Sequence, residues 1–534
     1  MSSSPLPRWV HGLVPLGFGL ALTTLGAARA WLREPLEPTP TQATGIVFQD
    51  RNGNRVRDAG EDGLAGVRVS NQLDIATTDA QGRWTLPVRG EETTFFVLKP
   101  RGWRSPVNSL QIPQFFYTHK PAGSPKQRFP GVAPTGPLPA SIDFPLIEKP
   151  EPDKFQALFF GDTQPRNVQE VDFMRHDILE ELVSTEALFG TTLGDIVFDD
   201  LSVFEPHNQA IALLGIPWHN VLGNHDMNYD SPDDRHSDET FERQFGPNYF
   251  AFDYGQVHFL ALDNVHWVGA SRGKEGAYHG ELGSEQLEFV KRDLEAVPPD
   301  KLVVALMHIP LAELRDREAF FRLLEPRPHA ISVAAHMHTQ THYFYGDKEG
   351  WRGAKPHHHL VNVTVCGSWW GGLPDERGIP HATMADGAPN GYSIFTFDGN
   401  RYSIEFKAAG RPASYQMEIG APEQTGADDG AEVTVNVFAG SERSVVEMRV
   451  GAGDWKPLER VARADPSFLR LKQLEAAIKP PVPGVALPKP QICPHLWAGK
   501  LPPKLPEGDQ WIEVRTRDAF GQIYSSRRAL RVRR

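Results

Sequence analysis

The sequence predicts an α/β core that lies between two β-rich regions. From Phe155 onward, short apolar segments alternate with segments of helical spacing, which favours a mainly parallel sheet covered by helices. Before residue 148 and after about residue 372, short alternating segments separated by turn signals predict β-strands. The chain contains 48 Gly and 46 Pro residues among its 534 residues, which favours many turns over a helical bundle.

The composition is typical of a soluble globular protein of several domains. Apolar residues make up 40% and charged residues 23% of the chain, which excludes a disordered chain and a polytopic membrane protein. The 67 acidic residues outnumber the 55 basic ones, so we do not expect a protein that coats nucleic acid. Two cysteines exclude a disulfide framework and a tetrathiolate zinc site. The sequence gives no indication of the oligomeric state.

Residues 1–30 have the layout of a secretory signal peptide. Arg8 precedes a mostly apolar run from Leu13 to Leu25, and Ala28-Arg29-Ala30 is a small-x-small cleavage site. The run is shorter than the ~20 residues that span a bilayer comfortably, so cleavage is favoured over an uncleaved anchor. In either case we expect the rest of the chain to be exported, to the periplasm or the extracellular space. After cleavage of the signal peptide, we expect no membrane span in the mature chain.

A linker at residues 31–43 leads into a predicted N-terminal β-sandwich domain at residues 44–148. Its first loop has oxygen-bearing side chains at the spacing of an EF-hand calcium loop: Asp50, Asn52, Asn54, Asp58 and Glu61. Arg55 stands where that loop requires glycine, and no helix precedes it. The segment resembles instead the calcium-dependent β-sandwich repeats of secreted bacterial surface proteins. We expect one structural calcium ion here, and the alternative is an Asn/Gly-rich turn without an ion.

The α/β core is predicted at residues 154–372, and a C-terminal β-rich domain at residues 373–534. Periodicity predicts strands at 156–160, 193–197, 216–222, 302–307 and 331–334, and helices at 168–187 and 284–297. Five motifs lie at or just past the ends of the strands: Gly161-Asp162-Thr163-Gln164, Gly194-Asp195, Gly223-Asn224-His225-Asp226, Met307-His308-Ile309-Pro310 and Ala335-His336-Met337-His338. Because loops at the carboxyl ends of parallel strands converge, we expect these side chains to meet in one crevice.

The side chains of the five motifs are suited to metal binding. Three carboxylates, two amides and several imidazoles form a set that suits divalent Mn, Fe, Zn or Mg, and the size of the set suits two ions better than one. A single His after a strand is usually packed or exposed. Five motifs in order, each at a strand end, favour a metal site instead.

This ordered set of motifs resembles the calcineurin-like metallophosphoesterase superfamily, and Gly223-Asn224-His225-Asp226 is its most specific element. Residues 366–372 and 386–392 look like the junction in exported bacterial members with β accessory domains at both ends. The resemblance implies a two-sheet sandwich flanked by helices, with two metal ions between the loops of the sheets.

The resemblance also implies a role for each motif residue. Asp162, Gln164, Asp195 and His338 would bind the first ion, and Asp195 would bridge to a second ion bound by Asn224, His308 and His336. Two ions about 4 Å apart would share a hydroxide that attacks phosphorus. His225 would act near the leaving group, with Asp226 orienting it.

The sequence departs from the commonest superfamily pattern at two places. Gln164 stands where a His is usual, and a neutral oxygen suits Mn or Mg better than Zn, so Mn is favoured. The usual second acidic residue falls three positions after the bridging Asp, where this chain has Phe198. Asp199 and Asp200 follow it, and their role is open.

Aromatic and basic residues near the motifs permit two interpretations each. Trp369 and Trp370 would line the substrate cleft or close the junction with the C-terminal domain. Arg166 would contact phosphate, or would lie exposed at the start of a helix, which is favoured. His357-His358-His359 is interpreted as a polar loop, because consecutive residues point in different directions.

The two cysteines also permit two interpretations. Cys366 and Cys493 would pair in an oxidising compartment. Cys366 ends an apolar run, however, which favours a buried free thiol.

Two classes of function remain. The first is an exported binuclear-metal enzyme that hydrolyses a phosphate mono- or diester. The second is a cell-surface or periplasmic binding or adhesion protein with a degenerate phosphoesterase core. The nearly complete ligand set favours the enzyme, although the sequence does not identify its substrate. No Gly-x-Ser-x-Gly elbow follows a strand and no P-loop motif occurs, so a serine hydrolase and a P-loop nucleotide hydrolase are not supported.

Overall fold

The computed structural model describes residues 41–269, 276–481 and 484–533. The predicted signal peptide and most of the linker after it lie outside the described residues. Among the helices that are described, none combines the length and the hydropathy that a bilayer span requires.

The N-terminal region consists of short strands in two layers. The strands are β1 (Gln42–Gln49), β2 (Arg68–Ser70), β3 (Ile75–Thr77), β4 (Arg83–Pro87), β5 (Thr93–Leu98), β6 (Trp103–Arg104), β7 (Phe116–His119) and β8 (Phe144–Glu148). They form one sheet in the order β4-β1-β8-β6 and another in the order β3-β2-β5-β7. Trp84 of the first sheet contacts Phe95 of the second, with 5.6 Å between ring centroids. Alternate residues of β1 and β4 are buried, as expected for strands with one face on a core.

The core region alternates strands and helices. Its helices are α1 (Val168–Met174), α2 (Glu180–Leu182), α3 (Phe204–Ile211), α4 (Glu239–Phe245), α5 (Gly283–Ala296) and α6 (Arg317–Leu324). Its strands are β9 (Lys154–Phe160), β10 (Phe189–Leu193), β11 (Trp218–Val221), β12 (Phe250–Tyr254), β13 (Val257–Ala261), β14 (Val265–Trp267), β15 (Tyr278–Gly280), β16 (Leu302–Leu306), β17 (Ala330–Ala334), β18 (Thr341–Tyr345), β19 (His357–Val361), β20 (Gly391–Asp398) and β21 (Arg401–Ala408).

These strands build a sandwich of two sheets. One sheet has the order β11-β10-β9-β20-β21 and the other the order β12-β13-β16-β17-β19-β18. Strands β9, β10 and β11 are parallel, as are β13, β16, β17 and β19. Phe189 of the first sheet packs edge-on against Phe259 of the second, with 5.1 Å between ring centroids. Helices α1 and α3 cover the outer face of the first sheet, where Met174 and Phe204 are fully buried.

The C-terminal region returns to β-structure. Its elements are β22 (Met417–Gly420), β23 (Gln424–Gly426), β24 (Glu432–Val437), β25 (Val445–Val450), β26 (Lys456–Pro457), β27 (Glu459–Arg460), α7 (Pro466–Ala477), β28 (Leu496–Lys500), β29 (Gly508–Arg517) and β30 (Ile523–Arg533). The sheets have the orders β22-β24-β28-β27 and β23-β30-β29-β25-β26, and residues such as Val435, Trp497, Ile512 and Val514 pack together. The predicted fold class, an α/β core flanked by β-rich regions, is confirmed.

Several predicted elements differ from the structure. The predicted strand at 193–197 is wrong, because β10 ends at Leu193 and the left-handed Gly194 and Asp195 turn the chain out of the sheet. The predicted helix at 168–187 ends at Leu182 and contains a π-helical turn, Arg175–Leu179. The sequence groups strands β20 and β21 with the C-terminal region, but β20 pairs with β9 and β21 pairs with β20, so both extend the first sheet of the core.

The polar loop predicted at His357-His358-His359 is also wrong. These residues begin β19, and all three are buried. Alternate residues of a strand point to opposite faces, so the triplet does not form one binding surface. His359 bonds Ser332 on the adjacent β17, and His358 bonds Tyr402 of β21 in the first sheet. Polar partners on the adjacent strand and on the opposite sheet therefore allow imidazoles to replace apolar side chains here.

Candidate metal centre

The loops that follow the parallel strands of both sheets bring the predicted ligands together. Asp162 and Gln164 follow β9, Asp195 follows β10, and Asn224 follows β11. His308 follows β16 of the second sheet, and His336 and His338 follow β17. The convergence predicted from the strand ends is therefore present in the structure.

One half of the centre surrounds His308, which is fully buried. Its Nε2 atom lies 3.2 Å from Asp195 Oδ1, 3.0 Å from Asn224 Oδ1 and 3.1 Å from His336 Nδ1. Its Nδ1 atom lies 2.8 Å from the backbone oxygen of Leu193, which fixes the ring and directs Nε2 into the cluster. Asp195, His308 and His336 offer ligand atoms that all lie within 4.8 Å of one another.

The other half is formed by Asp162, His338 and Gln164. Asp162 Oδ2 lies 3.1 Å from His338 Nε2, and His338 Nδ1 contacts the backbone oxygen of Gly367. The Gln164 amide lies 3.0 Å from Asp195 Oδ2, so the carboxylate of Asp195 faces both halves. This position between the two groups is the one that a bridging ligand requires.

The donor set fits divalent metal ions. Asp162 Oδ2 is buried with His338 Nε2 at 3.1 Å, but this contact is not a well-aligned hydrogen bond, so the buried carboxylate oxygen is poorly compensated. Around His308 Nε2, two oxygens and a second imidazole nitrogen face one point. Cations are the natural partners of such a group of acceptors.

The electrostatics of the centre favour positive charge at the same point. Burial opposes a charged imidazole, but the Asp195 and Asp162 carboxylates outweigh it and raise the pKa of His308 to about 9. Burial and the neighbouring His308 lower the pKa of His336 to about 4. Although burial opposes it, the nearby imidazoles lower the pKa of Asp195 below its ordinary value. A metal ion at this point would replace the proton on His308 Nε2.

Unusual backbone conformations place the ligands. Five candidate ligands have positive φ angles: Asp162 (23°), Gln164 (42°), Asp195 (50°), His336 (71°) and His338 (51°). Non-glycine residues rarely adopt this region, and such strain concentrates at functional sites. The chain therefore leaves each strand in a sharp turn that points the side chain into the centre.

Two motif glycines permit the close approach of the loops. A Cβ atom on Gly194 would lie 2.5 Å from His308 Nδ1, and one on Gly223 would lie 1.9 Å from the backbone nitrogen of Asp195. Both distances are shorter than real Cβ contacts, so any side chain at either position would displace a candidate ligand.

His225 lies beside the centre and is oriented by Asp199. Its Nδ1 atom lies 2.6 Å from Asp199 Oδ1, and its Nε2 atom lies 4.0 Å from Asp195 Oδ2. The ring stacks on Phe198 with 4.5 Å between centroids, and Tyr229 Oη lies 3.4 Å from Nδ1. Burial opposes the charged ring, but Asp195 and Asp199 outweigh it and raise the pKa of His225.

Asp226 does not hold the His225 ring, in contrast to the orientation expected from the resemblance. Its carboxylate accepts hydrogen bonds from the backbone N–H groups of Gly223 (2.9 Å) and Val197 (3.1 Å). Burial and the Asp195 charge raise the pKa of Asp226 to about 8. Asp226 therefore fixes the loop, and Asp199, whose role the sequence left open, makes the contact with the imidazole.

Comparisons with known proteins agree with this geometry. A sequence model described as calcineurin-like phosphoesterase matches residues 155–340. Models described as the N terminal and the C terminal of calcineurin-like phosphoesterase match residues 50–131 and 359–524. The chain belongs to the calcineurin-like phosphoesterases.

Among solved structures, the phosphoesterase is similar to that of a purple acid phosphatase isolated from yellow lupin (Lupinus luteus) seeds. The two chains are 14% identical with a TM-score of 0.35, and the match covers 69% of this chain and 67% of that chain. No curated protein matches the sequence.

The sequence did not identify two tyrosines that border the centre of the phosphoesterase. Tyr229 lies next to His225, and Tyr278 packs edge-on against His336 with 6.1 Å between ring centroids. Tyr229 follows the Gly223–Asp226 motif by three residues, which is the only sequence signal for it. Tyr278 comes from the short β15 hairpin, and no motif marks it.

Trp369 and Trp370 occupy different environments. The Trp369 ring is half-buried and lies against His338, with 4.2 Å between centroids, at the rim of the centre. Trp370 is buried, donates to the backbone oxygen of Thr163 at 3.1 Å, and packs against Phe173 of α1. Only Trp369 lies where a substrate cleft is expected.

Arg166 precedes α1 as predicted, but it is not freely exposed. Its guanidinium donates to the backbone oxygen of Trp369 at 2.9 Å and to Glu170 at 3.0 Å, and it lies 4.7 Å from the centre of the Phe198 ring. Phe198 in turn stacks on His225. Arg166 therefore links the two sides of the rim.

Both cysteines are free and buried. The thiol of Cys366 lies 3.6 Å from Gln164 Oε1 and 3.8 Å from His338 Nδ1, beneath the candidate ligands. Burial raises the pKa of the Cys366 thiol above its ordinary value. The predicted free thiol is present, and the alternative pairing with Cys493 is absent from the described residues.

The predicted calcium residues lie in one hydrogen-bonded loop. The Asp50 carboxylate accepts bonds from the backbone N–H groups of Gly53 (2.7 Å) and Arg55 (2.9 Å). Asp58 Oδ2 accepts bonds from the side chains of Asn52 and Asn54, both at 2.8 Å, while Glu61 accepts from the Asp58 backbone. Arg55 has a φ of 66° and so adopts the conformation that glycine would supply. Calcium binding here stays a prediction.

Proposed function

We propose that this phosphoesterase is an exported enzyme that hydrolyses phosphate mono- or diesters with two divalent metal ions, of which Mn is favoured. The observation that supports it most is the convergence of Asp195, His308 and His336 within 4.8 Å, with Asn224 at the same point. Export is supported by the signal-peptide pattern of residues 1–30.

The residues of the chain divide into two ligand groups. Asp162, Gln164 and His338 would bind one ion, Asn224, His308 and His336 would bind the other, and Asp195 would contact both. When bound, such ions supply the nucleophile and neutralise charge on the phosphate. Rotation of the Gln164 amide would turn its oxygen toward the ion. A neutral oxygen ligand of this kind suits Mn or Mg.

His225 is the motif imidazole that the ligand groups leave for proton transfer. Asp199 holds Nδ1, so Nε2 points toward Asp195 and is positioned to donate a proton to the leaving group. Phe198 supports the ring from one face. The shape of the cleft around the second ester group would decide between mono- and diesters.

A direct test combines metal analysis with a hydrolysis screen. Purified protein should contain about two divalent ions per chain. Matched mono- and diesters of the same alcohol, assayed with Mn, Mg, Zn and Fe, should then show which ester is cleaved and which ion supports the highest rate. Protein without bound metal and without activity on any ester would instead support a binding or adhesion protein with a degenerate core.

A further inference from the structure

A second group of carboxylates lies where the N-terminal region meets the core. Glu92 directly precedes β5, and Glu239 and Glu242 belong to α4. One carboxylate oxygen from each of these three residues lies within 4.8 Å of the other two. Glu239 is fully buried, and Glu242 is only 9% exposed. None of them belongs to the metal centre described above.

The counter-charge in this group is incomplete. Lys120 Nζ pairs with Glu92 at 2.5 Å and also contacts Glu239, which accepts a further bond from Ser124. Glu239 Oε1 is buried and has no hydrogen-bond partner among the described residues. Among the described residues, none forms a hydrogen bond or an ion pair with the Glu242 carboxylate.

Such an arrangement is costly unless more positive charge or protons are present. With all three carboxylates ionised, the single ammonium of Lys120 leaves about two uncompensated negative charges in a buried position. The buried Asp238 next to them adds to the negative potential. Burial, Asp238 and Glu92 raise the pKa of Glu242 well above its ordinary range.

We propose that Glu92, Glu239 and Glu242 form a binding site for a calcium ion that joins the N-terminal region to the core. Carboxylate oxygens from three residues suit a hard cation, and the irregular arrangement suits calcium better than the strict octahedron of magnesium. The ammonium group of Lys120 then competes with the calcium ion for two of the three carboxylates, those of Glu92 and Glu239. This inference does not depend on the proposed hydrolysis.

The position of the site gives the ion a structural consequence. The side chain of Asn228 bonds Thr240 of α4 twice, at 3.0 Å and 2.9 Å. Gln127 of the N-terminal region donates to the backbone oxygen of His236 at 2.7 Å. The loop between these contacts contains Tyr229, which lies beside His225. An ion at α4 would therefore stabilise the segment that borders the candidate metal centre.

The experiment uses the full chain with Asp50→Ala and Asp195→Asn in every protein compared, which reduces cation responses from the N-terminal loop and the metal centre. After chelation, calcium and magnesium are added separately, and binding is followed by calorimetry and by the Tm. We expect Tm to rise with the logarithm of the calcium concentration, with a smaller response to magnesium. Glu242→Gln should weaken this calcium binding by at least about 10-fold.

Two further variants distinguish a ligand from a structural residue. Lys120→Met should strengthen calcium binding, because it removes the competing ammonium, whereas a purely structural lysine would leave the calcium response unchanged. Glu91→Gln removes the same charge from the exposed neighbour of Glu92 and should leave calcium binding unchanged.

The proposal is overturned if calcium gives the same Tm response with and without Glu242→Gln, since the carboxyl is then kept neutral by a proton. Should Glu242→Gln fail to fold, Glu92→Gln provides the same comparison, because the Glu92 side chain is 16% exposed at the edge of the group. An unchanged calcium affinity in that variant would also overturn it.

Discussion

Two groups of histidines lie on the second sheet of the core, and only one of them faces carboxylates. His308, His336 and His338 follow the carboxyl ends of β16 and β17 and contact Asp195 or Asp162. The strand histidines, His342 of β18 with His357, His358 and His359 of β19, contact Ser332, Tyr402 and one another. A run of histidines in the sequence is therefore weaker evidence for a metal site than single histidines at strand ends.

The two groups differ in their electrostatics for the same reason. Burial without a negative partner lowers the pKa of His357 to about 3, and burial together with the positive potential of His495 lowers that of His342 to about 4. For His308 the carboxylates outweigh an equally complete burial and raise the pKa to about 9. The strand histidines are thus neutral core residues, and the loop histidines lie where positive charge is stabilised.

The largest effect is expected at Asp195, the carboxylate that the loop histidine His308 contacts. Asp195→Asn removes the charge that faces both ligand groups, so kcat/KM should fall by at least about 10²–10³-fold, together with bound metal. His357→Gln should retain both within a few-fold, because its contacts, Ser332, Trp351 and Phe321, are not candidate ligands. Metal analysis and ester hydrolysis of the two variants test this contrast, and equal losses would place the strand histidines in the catalytic machinery.

A second prediction concerns proton transfer by His225. His225→Ala should slow alkyl phosphate esters by about 10²–10⁴-fold and nitrophenyl esters far less, since a nitrophenolate departs without a proton. Asp199→Asn should cause a smaller loss in the same direction. Metal content should stay at the level of the unaltered protein in both variants. Equal losses on both ester types would indicate a structural role, and loss of metal would make His225 a ligand.

The strand histidines should make the fold sensitive to acid. Because the folded pKa of His357 is about 3 and the unfolded one about 6.5, the unfolded chain binds the proton first. Stability should therefore fall as the pH drops below about 6.5, by about 2 kcal/mol for this histidine between pH 7 and pH 5. Denaturant melts at both pH values should show that His357→Gln removes this part of the loss. An identical pH dependence in the variant would contradict the assignment.

The smallest expected effect concerns the choice of metal at Gln164. Gln164→His replaces a neutral oxygen ligand with an imidazole nitrogen, which should shift the preference from Mn toward Zn. Rates measured with each ion after metal removal test the shift. The same ranking of ions before and after the substitution would exclude Gln164 as the residue that sets the preference.

Much of the site could be predicted from the sequence because the relevant signal is local. Each motif follows an apolar segment, and the carboxyl ends of parallel strands lie at one edge of a sheet. Asp162 and His338 could therefore be expected to lie close together, although most of the core sequence separates them. The exact ends of strands were less predictable. β10 stops at Leu193, two residues before Asp195, where Gly194 adopts a left-handed conformation. The sequence alone does not show whether a glycine at this position continues the strand or ends it.

The sequence by itself determined which residue types are available at the strand ends, and through them the family, the fold class and the candidate ligands. The tertiary structure alone decided which neighbour each side chain meets. Asp199 holds His225 and Asp226 does not, Trp369 faces His338 while Trp370 is buried, and His357 to His359 enter a strand. These outcomes depend on single backbone dihedral angles and on partners from distant strands, to which the local sequence pattern is insensitive.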